Sequence, residues 1–173
     1  EDAYGAVGLD EDQDIFSSVW ETAKSRWLWL GVNLCTAFFA SRVISAFDET
    51  IEKVVALAAL MPIVAGMAGN SGNQTLTLLV MVAICNGILC GVVAGSLAWL
   101  LYAGTAQGMK LGFVMFLAMM LNILLGAVVG VAVPMLLKAL GRDPAMGGSV
   151  LLTFMTDSGG FLIFLSLATV FFR

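Results

Sequence analysis

The sequence predicts an all-α integral membrane protein with five transmembrane helices, on three observations. Apolar residues make up 60 % of the chain and the mean hydropathy is +0.99, against roughly 45–50 % apolar usage in soluble domains. Seven of the twelve acids (Glu1, Asp2, Asp10, Glu11, Asp12, Asp14, Glu21) crowd into the first 21 residues, leaving long uncharged runs behind them. Small residues recur every four positions, as at Gly91 and Gly95, Gly104 and Gly108, Gly108 and Gly112, and Gly126 and Gly130, the spacing that lets helix backbones approach closely in lipid. The net charge of −4 therefore describes an acidic head, and no basic patch points to nucleic acid.

Residues 1–26 are polar and read as a cytosolic entry segment, with Asp14 and Ser17-Ser18 placed to cap a helix running through Val19 and Trp20 toward Trp27. The five-helix domain occupies 27–173. Its first span, 27–47, has Trp20, Trp27 and Trp29 clustered at one end as interfacial anchors, and Arg42 near the other, where its stem can snorkel. The connector Asp48 to Lys53 is short and net acidic. The uncharged run from Val54 to Gln107 is too long for one helix, and a break at Cys85-Asn86-Gly87 divides it into spans 54–83 and 87–103. Lys110 opens a fourth span, 109–139, with Pro134 near its end. Lys138, Gly141, Arg142, Asp143 and Pro144 form a polar connector before the fifth, 145–172. Lys24, Arg26, Lys138 and Arg142 then share one side, and Lys53, Lys110 and Arg173 the other. The expectation is a multi-pass protein of the inner (plasma) membrane with a cytosolic N-terminus and an extracytoplasmic C-terminus, on a margin that Arg42 evens.

The chain contains no histidine, which removes Ser–His and Cys–His nucleophile pairs and HExxH zinc sites. A two-aspartate intramembrane protease would need a second acid within a span. The expectation is a protein that is not an enzyme. Cys35, Cys85 and Cys90 lie in apolar stretches and read as small hydrophobes.

Two places break the apolar rule. Between Pro62 and Thr77, six polar side chains and three glycines interrupt the second span. On a helix Asn70, Asn73 or Gln74, and Thr77 fall on one face, which serves either to join helices by interhelical hydrogen bonds or to line a watery path. The second place is Asp157, the lone acid within a span, in the segment Thr153-Phe154-Met155-Thr156-Asp157-Ser158-Gly159-Gly160. An ionised carboxylate in hydrocarbon needs water, a cation or a partner. It is either protonated and hydrogen-bonded within the bundle or ionised and balanced by a passing cation. Thr153, one turn earlier, adds a hydroxyl and a carbonyl on the same face, and Gly159-Gly160 would loosen the helix and free further carbonyls. Oxygen donors alone favour hard ions. One carboxylate per chain is too few to cage Ca2+, whereas Mg2+ is commonly held through its waters by one or two. That ligand set prefers Mg2+ modestly and leaves Mn2+, Co2+, Na+ and a proton open.

The stretch Pro62 to Thr77, with its GMAGNSGNQTLT core, closely resembles the second-helix signature of the MgtE family of magnesium channels. Leu140 to Asp157 resembles that family's final helix, and Trp20, Trp27, Asn33, Leu34 and Phe47 resemble its entry segment and first helix. The resemblance implies five-helix protomers with the pore at a homodimer interface within the lipid bilayer. It also implies a central Mg2+ site at Asp157 with oxygens from Thr153, Asn73 and Thr77, and a path lined by Gly69, Asn70, Gln74 and Thr156. Family members normally carry cytosolic Mg2+-sensing domains, so the expectation is the membrane portion alone. They also carry a longer charged segment between the second and third helices, where Leu79-Val80-Met81 here runs directly on to Cys85. The function implied is a magnesium-selective channel conducting down the electrochemical gradient. The alternatives are an ion-coupled (Na+ or H+) secondary transporter of divalent cations and a membrane anchor that transports nothing.

Overall fold

Hydrocarbon offers no partners to backbone polar groups, so a chain this apolar satisfies them within helices. The computed structural model describes residues 19–73, 79–141 and 148–173, and among them is no strand. The elements in order are α1 (Val19–Ser45), α2 (Asp48–Lys53), α3 (Ala56–Asn73), α4 (Leu79–Leu101), α5 (Gly108–Ala139) and α6 (Gly148–Phe171). Three stretches are long and apolar enough to cross a membrane, Val82–Leu101 within α4, Gly108–Ala139 and Gly148–Phe171. α1 and α3 carry shorter apolar stretches, Leu30–Ser45 and Ala56–Met67. The 32 residues of α5 measure about 48 Å at 1.5 Å per residue, more than the roughly 30 Å of a hydrocarbon core, so α5 tilts or projects beyond it.

α1 runs unbroken through Trp27, so the end of the expected entry segment and the first span are one helix. α2 follows after a two-residue turn, with Asp48 and Glu49 in its first turn and Lys53 in its last, the arrangement the helix dipole favours. Its buried Thr50 hydroxyl lies 2.8 Å from that of Thr169 near the end of α6.

The break expected at Cys85-Asn86-Gly87 is not a turn, because α4 passes straight through it. Against the expected spans 54–83 and 87–103, the described helices are Ala56–Asn73 and Leu79–Leu101. Gly87 lies inside α4, where its missing side chain makes a helix contact. Residues 74–78 lie outside the described residues, as do 1–18 and the connector 142–147.

That contact belongs to a seam between α4 and α5. A Cβ at Gly87 would stand 3.3 Å from the Met120 backbone, one at Gly91 2.9 Å from the Phe116 carbonyl oxygen, and one at Gly95 2.7 Å from the Gly112 carbonyl oxygen. Each four-residue step along α4 meets a four-residue step back along α5, so the two helices run antiparallel with backbones nearly touching. The opposite face of α4 (Ile88, Leu89, Val92, Leu97, Leu100) is exposed, as a lipid-facing surface should be. Gly104 has open space around it, while Gly108 packs on the Tyr102 carbonyl and closes the turn between the two helices. At the far end of α5, Gly141 takes φ +67° and its N–H bonds the Lys138 carbonyl, a left-handed C-terminal stop suited to glycine.

α5 is the hub, packed on α3, α4 and α6. Its Leu111, Val114, Met115, Ala118, Met119 and Ile123 are buried together with Leu57 and Val64 of α3 and Phe164 and Leu165 of α6. α1 packs chiefly on α6, where the rings of Phe39 and Phe154 meet edge to face at 5.1 Å. Gly95→Ala is expected to destabilise the fold by about 1–3 kcal/mol through overpacking, because the atom it meets is backbone. Gly104→Ala should be close to neutral. Melting of the two variants in detergent against the parent reads the difference.

Candidate functional site

Asp157 lies within α6, half-buried at the protomer surface. Thr153 is one turn earlier on the same face and exposed. Val64 of α3 packs against Gly160 of α6, where a Cβ on that glycine would be 3.7 Å from Val64 Cγ1, and Thr50, just before α3, meets Thr169 further along α6, so the two helices run antiparallel. α3 carries polar residues from Asn70 to its last described residue, Asn73. Of Gly69, Asn70 and Asn73 only the helical backbone is described, and Gln74 and Thr77 lie outside the described residues.

Thr156 faces elsewhere. It is fully buried, and its hydroxyl is 3.0 Å from the Leu152 carbonyl and 3.2 Å from that of Thr153, so its one proton goes to the helix's own backbone. Gly159 and Gly160 do not loosen α6, which continues through both as regular helix. They instead let α5 come close: a Cβ at Gly159 would collide with Leu125 Cδ2 at 2.6 Å, and one at Gly160 would reach Asn122 Oδ1 at 3.3 Å.

Asn122 of α5 is absent from the reading of the sequence and is the most deeply buried amide of the described residues, with 0 % exposure. Its Nδ2 donates to the Gly160 carbonyl at 3.5 Å, while Oδ1 has no partner. An unpartnered buried acceptor costs about 1–3 kcal/mol, which an apolar residue of that size would avoid. The signal was available, since Asn122 is the lone polar side chain between Lys110 and Lys138. Ser158, beside Asp157, is also buried with an unpartnered hydroxyl.

Among the described residues no ion pair reaches Asp157; the pair they contain is Lys53–Glu49, 3.6 Å apart at the surface. Nor do three or more His, Cys, Asp or Glu side chains converge anywhere among them. The chemistry here is that of one carboxylate, backbone carbonyls, hydroxyls and amides, a hard-oxygen set suited to hydrated alkaline-earth ions. Thr156→Val is expected to change stability by less than about 1 kcal/mol, because valine fills the same volume and both carbonyls keep their helical N–H donors. Thermal melting in detergent checks it.

Residues 79–167 match the family model MgtE, described as a divalent cation transporter. The magnesium transporter MgtE of Bacillus subtilis (strain 168) is 28 % identical over 97 % of the chain. That of Thermus thermophilus is 26 % identical over 97 %, and that of Enterococcus faecalis 25 % identical over 99 %. The chain spans about two fifths of the length of these relatives, 41–42 % of each. With more than half of its residues matched by the family model, and with helices long and apolar enough to cross the bilayer, the chain is a membrane protein that belongs to the MgtE family of divalent cation transporters.

Proposed function

We propose that the chain forms the pore of a magnesium channel, in which Mg2+ passes down its electrochemical gradient between two copies and pauses at Asp157. The observation that carries this reading is a half-buried acid within α6, without a basic partner among the described residues. The relatives' transport of magnesium supplies the ion.

The packing of one protomer supports a path between copies. Met115, Met119, Ile123 and Phe164 fill its centre with essentially no exposure, so a hydrated ion has no way through the bundle itself. Thr153 and Asp157 lie instead on its outer face. An ion moving along them is enclosed only if a second protomer, related by a two-fold axis, covers that face. Two Asp157 carboxylates would then match the charge of one divalent ion, and Mg2+, which dehydrates reluctantly, would be held largely through its waters. Thr153, Asn73 and Thr77 supply the surrounding oxygens in this arrangement. Gly69, Asn70 and Gln74 form the walls in this arrangement, whereas Thr156, buried inside the protomer, is not among them. All five apolar helices, including the shorter α1 and α3, cross the plasma membrane, with the N-terminus cytosolic. An inside-negative potential of 100 mV favours entry of a divalent ion by about 4.6 kcal/mol, twice the cost per unit charge.

Asp157→Asn removes the charge at constant shape. Mg2+ uptake into proteoliposomes is expected to fall by two orders of magnitude or more, the ~3 kcal/mol scale of a lost charged contact, with an unchanged melting temperature. Uptake equal to the parent's would remove Asp157 from the path. Single-channel currents test the mechanism, since turnover confined to carrier rates would replace the channel by an ion-coupled transporter.

A further inference from the structure

Asn122 is the lone polar side chain over 27 consecutive residues of α5, Leu111 to Leu137, and is wholly buried. It reaches α6 at the Gly160 carbonyl, three residues beyond Asp157 and one turn beyond the buried Thr156. The approach depends on Gly160, where a Cβ would crowd Asn122 Oδ1 at 3.3 Å. Around this contact α6 meets its neighbours through Leu152, Phe164, Leu165 and Ala168. Such apolar contacts are non-directional, and in lipid they resist rotation and sliding weakly because hydrocarbon solvates either arrangement. A hydrogen bond to one carbonyl is directional, and a single buried amide is the best-attested device by which packed helices select one register.

We propose that Asn122 is a positioning residue: by holding the Gly160 carbonyl it fixes the rotation and depth of α6, and so the place at which Asp157 presents its carboxylate. The consequence for transport rests on the magnesium reading above, whereas the placement of α6 does not.

The test uses Asn122→Leu, with the same number of side-chain heavy atoms and without the orphaned acceptor, and Asn122→Met should the leucine variant fail to fold. Val128 and Met155, both exposed and brought level by the antiparallel register in which Gly159 meets Leu125 and Gly148 meets Leu137, are replaced by cysteine in a background where Cys35, Cys85 and Cys90 are alanine. Spin labels there, with labelled chain diluted in unlabelled chain, read the distance between the two helices. That distance is expected to shift or broaden by about 1–2 Å, the size of known helix displacements. The Mg2+ concentration giving half-maximal uptake should rise about tenfold, the loss that follows removal of a group that orients a metal ligand. The melting temperature should equal or exceed the parent's. An unchanged distance overturns the proposal, as does an unchanged half-saturating concentration. Uptake that falls only in step with the melting temperature in both variants makes Asn122 a packing residue and overturns it as well. If the parent carries no Mg2+ while the helix displacement persists, the magnesium reading falls and the placement of α6 by Asn122 stands.

Discussion

In hydrocarbon, helices gain little by hiding apolar side chains from one another, because lipid tails solvate them equally well. What assembles this bundle is the contact of backbone with backbone along α5. Gly87, Gly91 and Gly95 bring α4 against it at 2.7–3.3 Å from where their Cβ atoms would stand, and on another side Gly159 and Gly160 of α6 make room for the Leu125 and Asn122 side chains of α5. Everything else in the architecture follows from α5 being the common partner. Its buried methionines and Ile123 fill the middle of the protomer, while Thr153 and Asp157 lie nearer its surface.

Polar groups in the spans divide by how they are satisfied. The Thr156 and Thr169 hydroxyls turn back to carbonyls one turn earlier, and Thr50 adds a cross-link to Thr169. These groups are spent within the protein. Asp157 is not, and neither are Asn122 Oδ1 and Ser158 Oγ, the two buried side-chain polar atoms without partners among the described residues. In a low-dielectric interior an unpaired polar group is costly. All three lie within one turn along α6 or against that turn.

Much of this was legible in residue order. Long uncharged runs require helices because backbone groups have no other partner in lipid, and the described parts of those runs are largely helical. The acid at Asp157 and the amides from Asn70 onward stand out because lipid makes polar residues conspicuous. The boundary between the second and third helices was misjudged, because a glycine between Asn86 and Ile88 has the same letter whether it turns the chain or receives a neighbouring backbone. Only the presence of Met120 across the seam distinguishes the two. The same ambiguity affected Gly159-Gly160, which admit Leu125 and Asn122 and leave α6 intact.

The sequence by itself therefore determined that this chain is a helical membrane protein, which stretches are helical, and that an acid sits where lipid should forbid one, since each depends on the solvation of individual residues along a local segment. Only the tertiary structure decided which glycines are contacts and which are turns, that Met115, Met119, Ile123 and Phe164 are buried together, and that Asn122 reaches Gly160 from a different helix. Those facts depend on which residues distant in the chain become neighbours, and the energy of a close backbone contact or an interhelical hydrogen bond does not exist until the second helix is in place.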